Sequence, residues 1–509
     1  MSAPGQPPVV VIGAGFGGLA AAVRLRALGH RVLVLEARDQ AGGRAGVYRR
    51  DGYTFDAGPT VITAPYLLAE LFELLGRDFA ERVELVPVDP FYRILFHDGS
   101  TFDYVGEEDR LIENIRALSP RDVDGYRRLA TRAREIFDVG YTQLADRPFL
   151  RFTDMIRILP DLVRLGGLRS VYSLVADHIE DDRLRRAFTF EPLLVGGHPF
   201  RASGIYLLIH WLERRWGVHF AKGGTAAIVE ALVDLLEEVD VEVRLSTPVE
   251  RIEVERGRAV AVHTEGGERV PCAFVVSNGD PSRTYRTMIP EADRGRNRDA
   301  RVRRVQKSMS LFVGHFGVRR TYPDIAHHTI VLGERYRGLL DDIFRRRVLA
   351  DDFSLYVHAP TRTDPSMAPP GNEAMYVLSP VPNNRSGIDW DREGERYFDA
   401  ILSELEERLL PGLRAHLDLR FHVTPDYFEH ELRTDAGAAF GPEPILTQSA
   451  WFRYHNRSPD VDGLYFVGAG THPGAGVPGV LNSARVLERI APRPTAGSEI
   501  PVPGERARV

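Results

Sequence analysis

The sequence contains very little cysteine, and this scarcity limits the chemistry that its own side chains can support. Its only cysteine is Cys272, so an internal disulfide, a cysteine-rich zinc site and an iron–sulfur cluster are excluded. A reducing cytoplasm fits this composition, and redox chemistry would need a bound cofactor. We expect the protein to stay inside the cell, because Met1–Pro8 lacks the positive start and apolar run of a secretory signal.

Long apolar runs and a strong charge of one sign are also missing. No stretch approaches the roughly 18 uninterrupted apolar residues of a membrane-spanning helix, so we expect any membrane contact to be peripheral. The 65 basic and 71 acidic residues give a net charge of -6, which offers no general attraction to nucleic acid. At 509 residues the chain is too long for one compact core, so we expect a large nucleotide-binding domain and at least one further domain.

The amino-terminal residues have the pattern of a β-turn-α-β unit. Val9–Ile12 is a β-branched run, Gly17–Leu28 has helical spacing, and Arg31–Leu35 restores a strand that ends at Glu36. Glycines in the turn meet the needs of a dinucleotide site: a tight turn, backbone access to pyrophosphate and close helix packing. The predicted phosphate loop comprises Gly13, Ala14, Gly15, Gly17 and Gly18. With Glu36 placed to grip ribose hydroxyls, the unit predicts a bound dinucleotide; a purely structural turn is the alternative.

A second glycine pair favours FAD over NAD. Glu36 is followed after five residues by Gly42, Gly43 and Arg44, an extension typical of a large FAD superfamily that includes amine oxidases and carotenoid desaturases. The two glycines let the chain pass close to the pyrophosphate, and Arg44 can supply positive charge beside it. We therefore predict non-covalent FAD, and a glycine turn with a solvated arginine is the competing interpretation.

The carboxyl-terminal part contains another glycine-rich turn, between the predicted strand Leu464–Val467 and a helix beginning near Gly479. Gly474, Gly476 and Gly479 form a second formal dinucleotide pattern, but no acidic residue ends a following strand, so we predict no second nucleotide. A helix N-terminus aimed at the flavin ring would favour the negative charge that develops on reduction. The residues assigned to this part of the cofactor site are Gly468, Gly470, Gly476 and Val477. An ordinary tight turn is the alternative.

These patterns predict an α/β protein whose Rossmann-like FAD-binding domain is assembled from discontinuous segments. A helix at Thr225–Glu238 and short strands between it and Ser277 form the middle part. The predicted FAD-binding segments are residues 1–65, 223–289 and 442–490. We assign the two long insertions between them to substrate binding. Residues 491–509, which are rich in Pro, Gly and charge, are predicted to be a disordered tail.

Several further stretches resemble signatures of the bacterial phytoene desaturases and, with the two glycine motifs, cover nearly the whole chain in order. They are Phe55–Val61, Leu193–Phe200, Trp216–Phe220 with Gly223–Thr225, and Ser449–Arg453. The resemblance implies an α+β substrate domain, which we place at residues 66–135 and 290–441, and a helical, membrane-associated subdomain at residues 136–222. On the basis of this resemblance, the predicted cofactor site also includes Gly58, Thr60, Val249 and Asp280.

The resemblance further implies FAD-dependent desaturation of phytoene in carotenoid synthesis, giving lycopene, neurosporene or a related carotenoid. Oxidised flavin would accept a hydride from a carbon beside the polyene, and the resulting delocalised cation would lose a proton to form the new double bond. Expected partners are the apolar polyene, a lipid surface at the inner face of the cell membrane, and quinone or oxygen as electron acceptor, without nucleic acid. Alternatives are a desaturase of another carotenoid, an amine oxidase, or a flavin-free prenyl-lipid carrier. Such carriers lose the glycine pattern that is present here.

For the acid–base step the resemblance implies Asp154 and Arg157 as catalytic residues. The two are three residues apart and therefore neighbours on a helix face. A surface ion pair is the alternative interpretation. Lys307 has no clean match to a lysine sometimes proposed for this family, so we assign it no role.

The same region has the composition of a membrane-interface helix. Arg151–Ala176 interleaves aliphatic residues with arginines, and a basic amphipathic helix of this kind can lie in the plane of a lipid surface. We favour that interpretation over a core helix with a solvated basic face.

Two histidine-containing stretches and one aromatic cluster receive structural interpretations. His327–His328 and Glu429–Glu431 match no common metal-site spacing, because adjacent residues on a strand or helix point apart. We predict surface or capping roles for them and no metal site. Phe91, Tyr92 and Phe96 could line a tunnel, but we favour plain core packing.

Overall fold

Two large β-sheets and a helical part organise the chain. The computed structural model describes residues 7–494, so residues 495–509 of the predicted tail lie outside the described residues. The strands are β1 (Val9–Ile12), β2 (Val32–Leu35), β3 (Val47–Arg50), β4 (Tyr53–Asp56), β5 (Leu85–Pro87), β6 (Tyr92–Leu95), β7 (Thr101–Tyr104), β8 (His219–Ala221), β9 (Glu242–Arg244), β10 (Val249–Glu255), β11 (Arg258–Thr264), β12 (Arg269–Pro271), β13 (Val275–Ser277), β14 (Ser310–Val318), β15 (His328–Val331), β16 (Leu355–His358), β17 (Glu373–Val381), β18 (Leu417–Val423) and β19 (Leu464–Phe466). The helices are α1 (Phe16–Ala27), α2 (Tyr66–Glu73), α3 (Glu108–Leu118), α4 (Val123–Gly140), α5 (Phe152–Arg164), α6 (Val171–Ala176), α7 (Asp182–Ala187), α8 (Leu208–Trp216), α9 (Thr225–Glu238), α10 (Pro281–Arg283), α11 (Asp299–Arg304), α12 (Tyr336–Asp341), α13 (Trp390–Arg408), α14 (Leu413–His416), α15 (Pro425–His430) and α16 (Val477–Ile490).

The first sheet is parallel, with five strands in the order β19-β13-β1-β2-β9. Its strands come from three separated parts of the chain, and this arrangement agrees with the predicted α/β class. Both faces are covered, as the continuous apolar runs of β1 and β2 require. Val9 and Val11 pack towards α1, α9 and α16. Val10 and Ile12 pack on the opposite face, towards the antiparallel strands β10, β11 and β12.

The second sheet has seven strands in the order β18-β14-β17-β16-β15-β6-β7. It is antiparallel except where β15 pairs with β6. Strands β6 and β7 precede the helical part in sequence, whereas the other five strands follow it. Side chains of β14 alternate between two environments: Phe312 packs against α13, while Leu311 and Val313 belong to the central core. The sheet therefore presents one face to a helix and the other to the interior.

Phe91, Tyr92 and Phe96 lie in that central core and are at most 6% exposed. They belong to the same apolar cluster as residues of α4, α6 and α7. The prediction of plain core packing for these three aromatic residues is confirmed.

The segment predicted as one amphipathic helix, Arg151–Ala176, forms two helices. Gly166 adopts a left-handed φ of 76° and ends α5, and the chain starts α6 with Ser170 as its N-cap. The expectation of a single helix is therefore wrong, because a Gly-Gly pair interrupts it. Within residues 7–494, no helix is long and apolar enough to cross a membrane.

Candidate cofactor and substrate cavity

A cavity of about 600 Å³ connects the first sheet, the second sheet and the helical part. Its lining includes Ile12 and Leu35, the last residues of β1 and β2, at the edge where parallel α/β sheets bind their ligands. One end is lined by glycine-rich turns and the other by apolar side chains. We call them the nucleotide end and the apolar lobe.

At the nucleotide end, the turn between β1 and α1 leaves no room for side chains. Gly13 adopts a left-handed φ of 92°. A Cβ at Gly18 would overlap the Gly13 carbonyl oxygen, and one at Gly15 would come within 2.9 Å of the Asn278 side chain. Because the N-cap of α1 is Gly15, the first amide groups of the helix have no capping side chain and remain available for an anion.

Glu36 lies at the end of β2 and is buried. Its Oε2 accepts a hydrogen bond from the Ala14 amide at 2.6 Å, and its Oε1 accepts one from the Arg38 amide at 3.0 Å. These bonds hold the carboxylate against the phosphate loop, within the cavity lining. A carboxylate fixed there can accept hydrogen bonds from ribose hydroxyl groups.

Arg44 supplies a partly buried positive charge at the same end. Burial lowers the pKa of its guanidinium, an effect that the negative charge of Asp280 opposes. The Arg44 Nε has no hydrogen-bond partner among the described residues. A Cβ at Gly58 would overlap the Arg44 carbonyl oxygen, so only glycine allows this close passage. A guanidinium with an unpaired Nε beside a glycine-lined cradle fits a diphosphate.

The carboxyl-terminal turn completes the nucleotide end. α16 begins at Val477 with Gly476 as its N-cap, at a φ of 92°, so its first amide groups have no side-chain cap either. The buried Arg453 holds the turn: Nη2 donates to the Ala469 carbonyl at 2.7 Å and Nε to the Thr471 carbonyl at 3.1 Å. The sequence had shown Arg453 only as part of a family signature, without this positioning role.

Most residues assigned to the cofactor site from the sequence meet in the cavity wall. Ala14 and Gly18 lie directly behind it, the former donating to Glu36 and the latter packing on Gly13. Those that line the cavity are Gly13, Gly15, Glu36, Arg44, Gly58, Thr60, Val249, Asp280, Gly468, Gly470, Gly476 and Val477.

The apolar lobe draws its wall from many elements. It includes Phe149, Met155, Leu165, Leu194, Met309 and Ile330, which come from the helical part and from the inner face of the second sheet. These positions are far apart in sequence, and sequence patterns assigned none of them to the cavity.

Two buried carboxyl groups, Glu191 and Glu213, lie beside the apolar lobe. Sequence analysis did not identify either of them. Glu213 lines the cavity, and its Oε1 accepts a hydrogen bond from the Tyr92 hydroxyl at 2.7 Å. Burial raises the pKa of both carboxyl groups well above the usual range, and the proximity of Glu191 adds to the effect on Glu213. Burial lowers the pKa of the neighbouring His210 to about 3. Burial therefore favours the neutral form of all three groups on this side of the lobe.

Asp154 and Arg157 lie outside the cavity lining. The Asp154 Oδ2 accepts a hydrogen bond from the Arg151 amide at 3.0 Å, closing the first turn of α5, and its Oδ1 lies 3.5 Å from the Arg157 Nη1. The Arg157 side chain is 78% exposed. On the same helix, Asp161 does line the cavity. An acid–base role for Asp154 and Arg157 stays a prediction, and their contacts agree better with the alternative of a surface ion pair.

The structure corrects the surface role predicted for His327 and His328. Both are at most 5% exposed, because β15 is an interior strand flanked by β16 and β6. Adjacent residues were expected to point apart, yet their ring centroids are 4.5 Å apart. Glu429–Glu431, at the end of α15, behaves as predicted, with His430 exposed.

The sequence matches the family model described as flavin containing amine oxidoreductase over residues 16–486. It is 49% identical to a lycopene-forming phytoene desaturase of Paracoccus sp., over 96% of this chain and 97% of the relative. The identity is also 49% to a lycopene-forming phytoene desaturase of Pantoea ananas, over 94% and 97%. A neurosporene-forming phytoene desaturase of Rhodobacter capsulatus is 43% identical over 96% and 94%.

Solved structures share this fold at low sequence identity. An oxidoreductase from Methanosarcina mazei has a TM-score of 0.62 at 18% identity, covering 94% of this chain and 99% of the other. Putrescine oxidase bound to putrescine has a TM-score of 0.62 at 17% identity, covering 95% and 98%. At these identities the likeness concerns the fold alone.

Proposed function

The chain belongs to the family of flavin-containing amine oxidoreductases, with bacterial phytoene desaturases as near relatives, and we propose that it converts phytoene to lycopene with non-covalently bound FAD. The observation that carries this proposal is the continuity of the cavity. One wall has the shape and charge of a dinucleotide site, and it leads into a lobe lined by apolar side chains.

The nucleotide end is suited to FAD through its own atoms. The glycines leave space that a Cβ would fill, and the buried Arg44 Nε lacks a partner among the described residues. The diphosphate would occupy the N-terminus of α1 beside Arg44, and the ribose would reach Glu36. FAD, when bound, supplies the acceptor for the hydride that leaves the polyene.

The apolar lobe is suited to a polyene because most of its wall is apolar, and the Asp161 carboxylate in that wall is paired with Arg164 at 3.1 Å. A hydrocarbon gains affinity from burial at about 25 cal/mol per Å², and a permanent charge in the wall would need solvation that the hydrocarbon cannot supply. Burial raises the pKa of Glu213 well above its usual range and so favours the neutral carboxyl group on this wall. The lobe therefore excludes water from the developing cation and orients the chain by shape.

We also propose peripheral attachment at the inner face of the cell membrane. The exposed apolar patch consists of Phe152, Ile156, Leu159, Val163 and Leu168, each 46% to 57% exposed. Exposed arginines flank it at positions 151, 157, 164 and 169, and they can attract anionic headgroups. The opposite face of α5 contributes Met155 and Leu162 to the cavity wall. α5 thus separates the patch from the cavity by one helix, a short route for an apolar substrate leaving a lipid surface.

The test is reconstitution. The full chain is loaded with FAD and mixed with liposomes that contain phytoene, and a quinone or oxygen is supplied as the proposed electron acceptor. We expect bound flavin absorbance, followed by carotenoid absorption that moves stepwise to longer wavelength until lycopene accumulates.

Three outcomes would count against parts of the proposal. A colourless chain that takes up no FAD would overturn the assignment of the cofactor. An unchanged phytoene pool with FAD bound would overturn the assignment of the substrate. If the reaction stopped at neurosporene, the proposed desaturation would stand but the proposed product, lycopene, would be wrong. Liposomes without phytoene provide the blank.

A further inference from the structure

Three buried histidines converge at one point of the second sheet. His327 immediately precedes β15, His328 begins it, and His358 ends β16. The antiparallel register pairs His328 directly with His358. One ring nitrogen from each of the three residues lies within 4.8 Å of one from each of the others.

Each of the three rings is held by a polar neighbour through one nitrogen. The contacts are His327 Nδ1 to Thr363 Oγ1 at 2.6 Å, His328 Nδ1 to the Tyr356 hydroxyl at 2.7 Å, and His358 Nε2 to Asp56 Oδ2 at 3.3 Å. Such partners orient metal-binding imidazoles in proteins, because they fix the tautomer and leave the other nitrogen free to coordinate.

The remaining nitrogens lack hydrogen-bond partners. His327 Nε2, His328 Nε2 and His358 Nδ1 are buried and unpaired among the described residues. A buried polar atom without a hydrogen-bond partner destabilises the fold, so three such atoms in one cluster favour a bound ligand. Burial lowers the pKa of all three rings, which therefore present neutral imidazoles with available lone pairs.

We propose that His327, His328 and His358 bind one divalent transition-metal ion of the zinc class. Neutral imidazole is a preferred ligand for such ions, and three histidines with a small fourth ligand complete a tetrahedral site. Each imidazole would supply one nitrogen, at the usual zinc–nitrogen distance of about 2.0–2.1 Å. Hard cations such as magnesium, which prefer oxygen ligands, do not suit this site.

The position of the site indicates a structural role. Asp56, the partner of His358, also accepts a hydrogen bond from the Thr225 amide at 2.7 Å, at the start of α9. Tyr356, the partner of His328, contacts Thr60 at 2.7 Å, and both line the cavity. An ion at the histidines would tie β15 and β16 to the segment that carries the cofactor residues. This inference does not depend on which polyene is desaturated.

The test begins with the metal content of the full chain. The protein is purified without chelator and dialysed against dilute zinc sulfate and then against metal-free buffer. Its zinc content is then measured by inductively coupled plasma mass spectrometry. We expect about one zinc per chain, and X-ray absorption at the zinc edge to show imidazole ligands. Wild-type protein that retains no metal after this treatment would overturn the proposal and leave a water molecule as the occupant.

Substitutions then locate the ion. His328→Gln and His358→Gln should each lower the metal content at least tenfold. The matched control is His315→Gln, because His315 is equally buried on β14, contacts the Asp56 carbonyl at 3.3 Å and lies outside the cluster. Equal loss in the control, or retention in His358→Gln, would contradict the site.

A chelator experiment uses wild-type protein, so its result does not depend on whether the variants fold. The zinc-binding 1,10-phenanthroline should lower the melting temperature of wild-type protein, and added zinc should restore it. The non-chelating 1,7-isomer should have no effect, and equal shifts with both isomers would contradict the proposal. Flavin content measured on the same samples separates failure of the metal site from failure of the proposed function.

Discussion

The nucleotide end and the apolar lobe of one cavity are built by different means. The nucleotide end depends on the main chain: its glycines are required because a Cβ at Gly18 or Gly58 would overlap a carbonyl oxygen. The apolar lobe depends on side chains that many distant elements contribute. Substitutions at the nucleotide end are therefore limited by backbone geometry, and substitutions at the apolar lobe by side-chain volume and polarity. Single substitutions should consequently act more sharply at the first end than at the second.

The largest effect is expected from Gly18→Ala. The new methyl group would overlap the Gly13 carbonyl oxygen and displace the phosphate loop. We expect FAD affinity to fall on the order of 100-fold, about 3 kcal/mol, as measured by titration of the FAD-free chain. Gly266→Ala is the control, since a Cβ there would meet only the Thr264 side chain at 3.7 Å. Normal FAD uptake by Gly18→Ala would mean that the loop does not bind the diphosphate.

At the apolar lobe, Leu194→Trp should separate turnover from cofactor binding. Leu194 lines the cavity and is only partly buried, so the larger ring can fill the lobe without entering the tight core. We expect flavin content within about twofold of wild type and phytoene turnover reduced by about 50-fold, because small displacements of a bound substrate are costly. Leu194→Met, which conserves volume, should retain most activity. If tryptophan left turnover intact, the polyene would have to bind elsewhere.

The exposed apolar patch lies across α5 from the apolar lobe, and its proposed role can be tested by measuring affinity for lipid. Ile156→Asp combined with Val163→Asp places two charges on the exposed apolar patch, and we expect binding to anionic liposomes to weaken by about tenfold. Co-sedimentation provides the measurement. Leu245→Asp with Val348→Asp is the control, since these residues are 41% and 47% exposed at other places on the surface. Equal losses in the two double variants would show that the patch is not the lipid-binding surface.

The difference between the two ends also decides how much could be predicted from sequence. The phosphate loop and Glu36 lie in one short stretch with fixed spacing, so their roles follow from local pattern, and the helix predicted at Thr225–Glu238 has those bounds in the structure. Glu213 and His358 show no such pattern. Their burial depends on pairing between distant segments, as in the register of His328 with His358, and one sequence does not reveal that pairing.

The raised pKa of the buried Glu213 carboxyl predicts that stability falls as pH rises. In the unfolded chain the Glu213 carboxyl ionises near its ordinary pKa of 4.5, but in the folded protein burial raises that pKa well above this value. The folded state thus binds more protons than the unfolded state above that pH, and its stability falls as pH rises towards the folded pKa.

Glu213→Gln imitates the protonated form and should remove the contribution of Glu213 to this dependence. We expect the variant to gain free energy of unfolding over wild type by up to about 1.4 kcal/mol per pH unit between pH 5 and 7, measured by denaturant titration. Glu237→Gln, at an exposed position of α9, is the control and should show no such trend. A wild-type protein that becomes more stable relative to Glu213→Gln as pH rises would contradict a protonated carboxyl.

The smallest effect is expected from Asp154→Asn. Its contacts close the first turn of α5 and form an exposed ion pair with Arg157, and such a pair contributes about 0–1 kcal/mol. We expect turnover within about threefold of wild type and flavin content unchanged. Asp124→Asn, which breaks a similar pair with Arg127 on α4, is the matched control. A tenfold or larger loss of turnover in Asp154→Asn alone, with flavin bound, would instead support the acid–base role, because an exposed ion pair has no means of affecting chemistry so strongly.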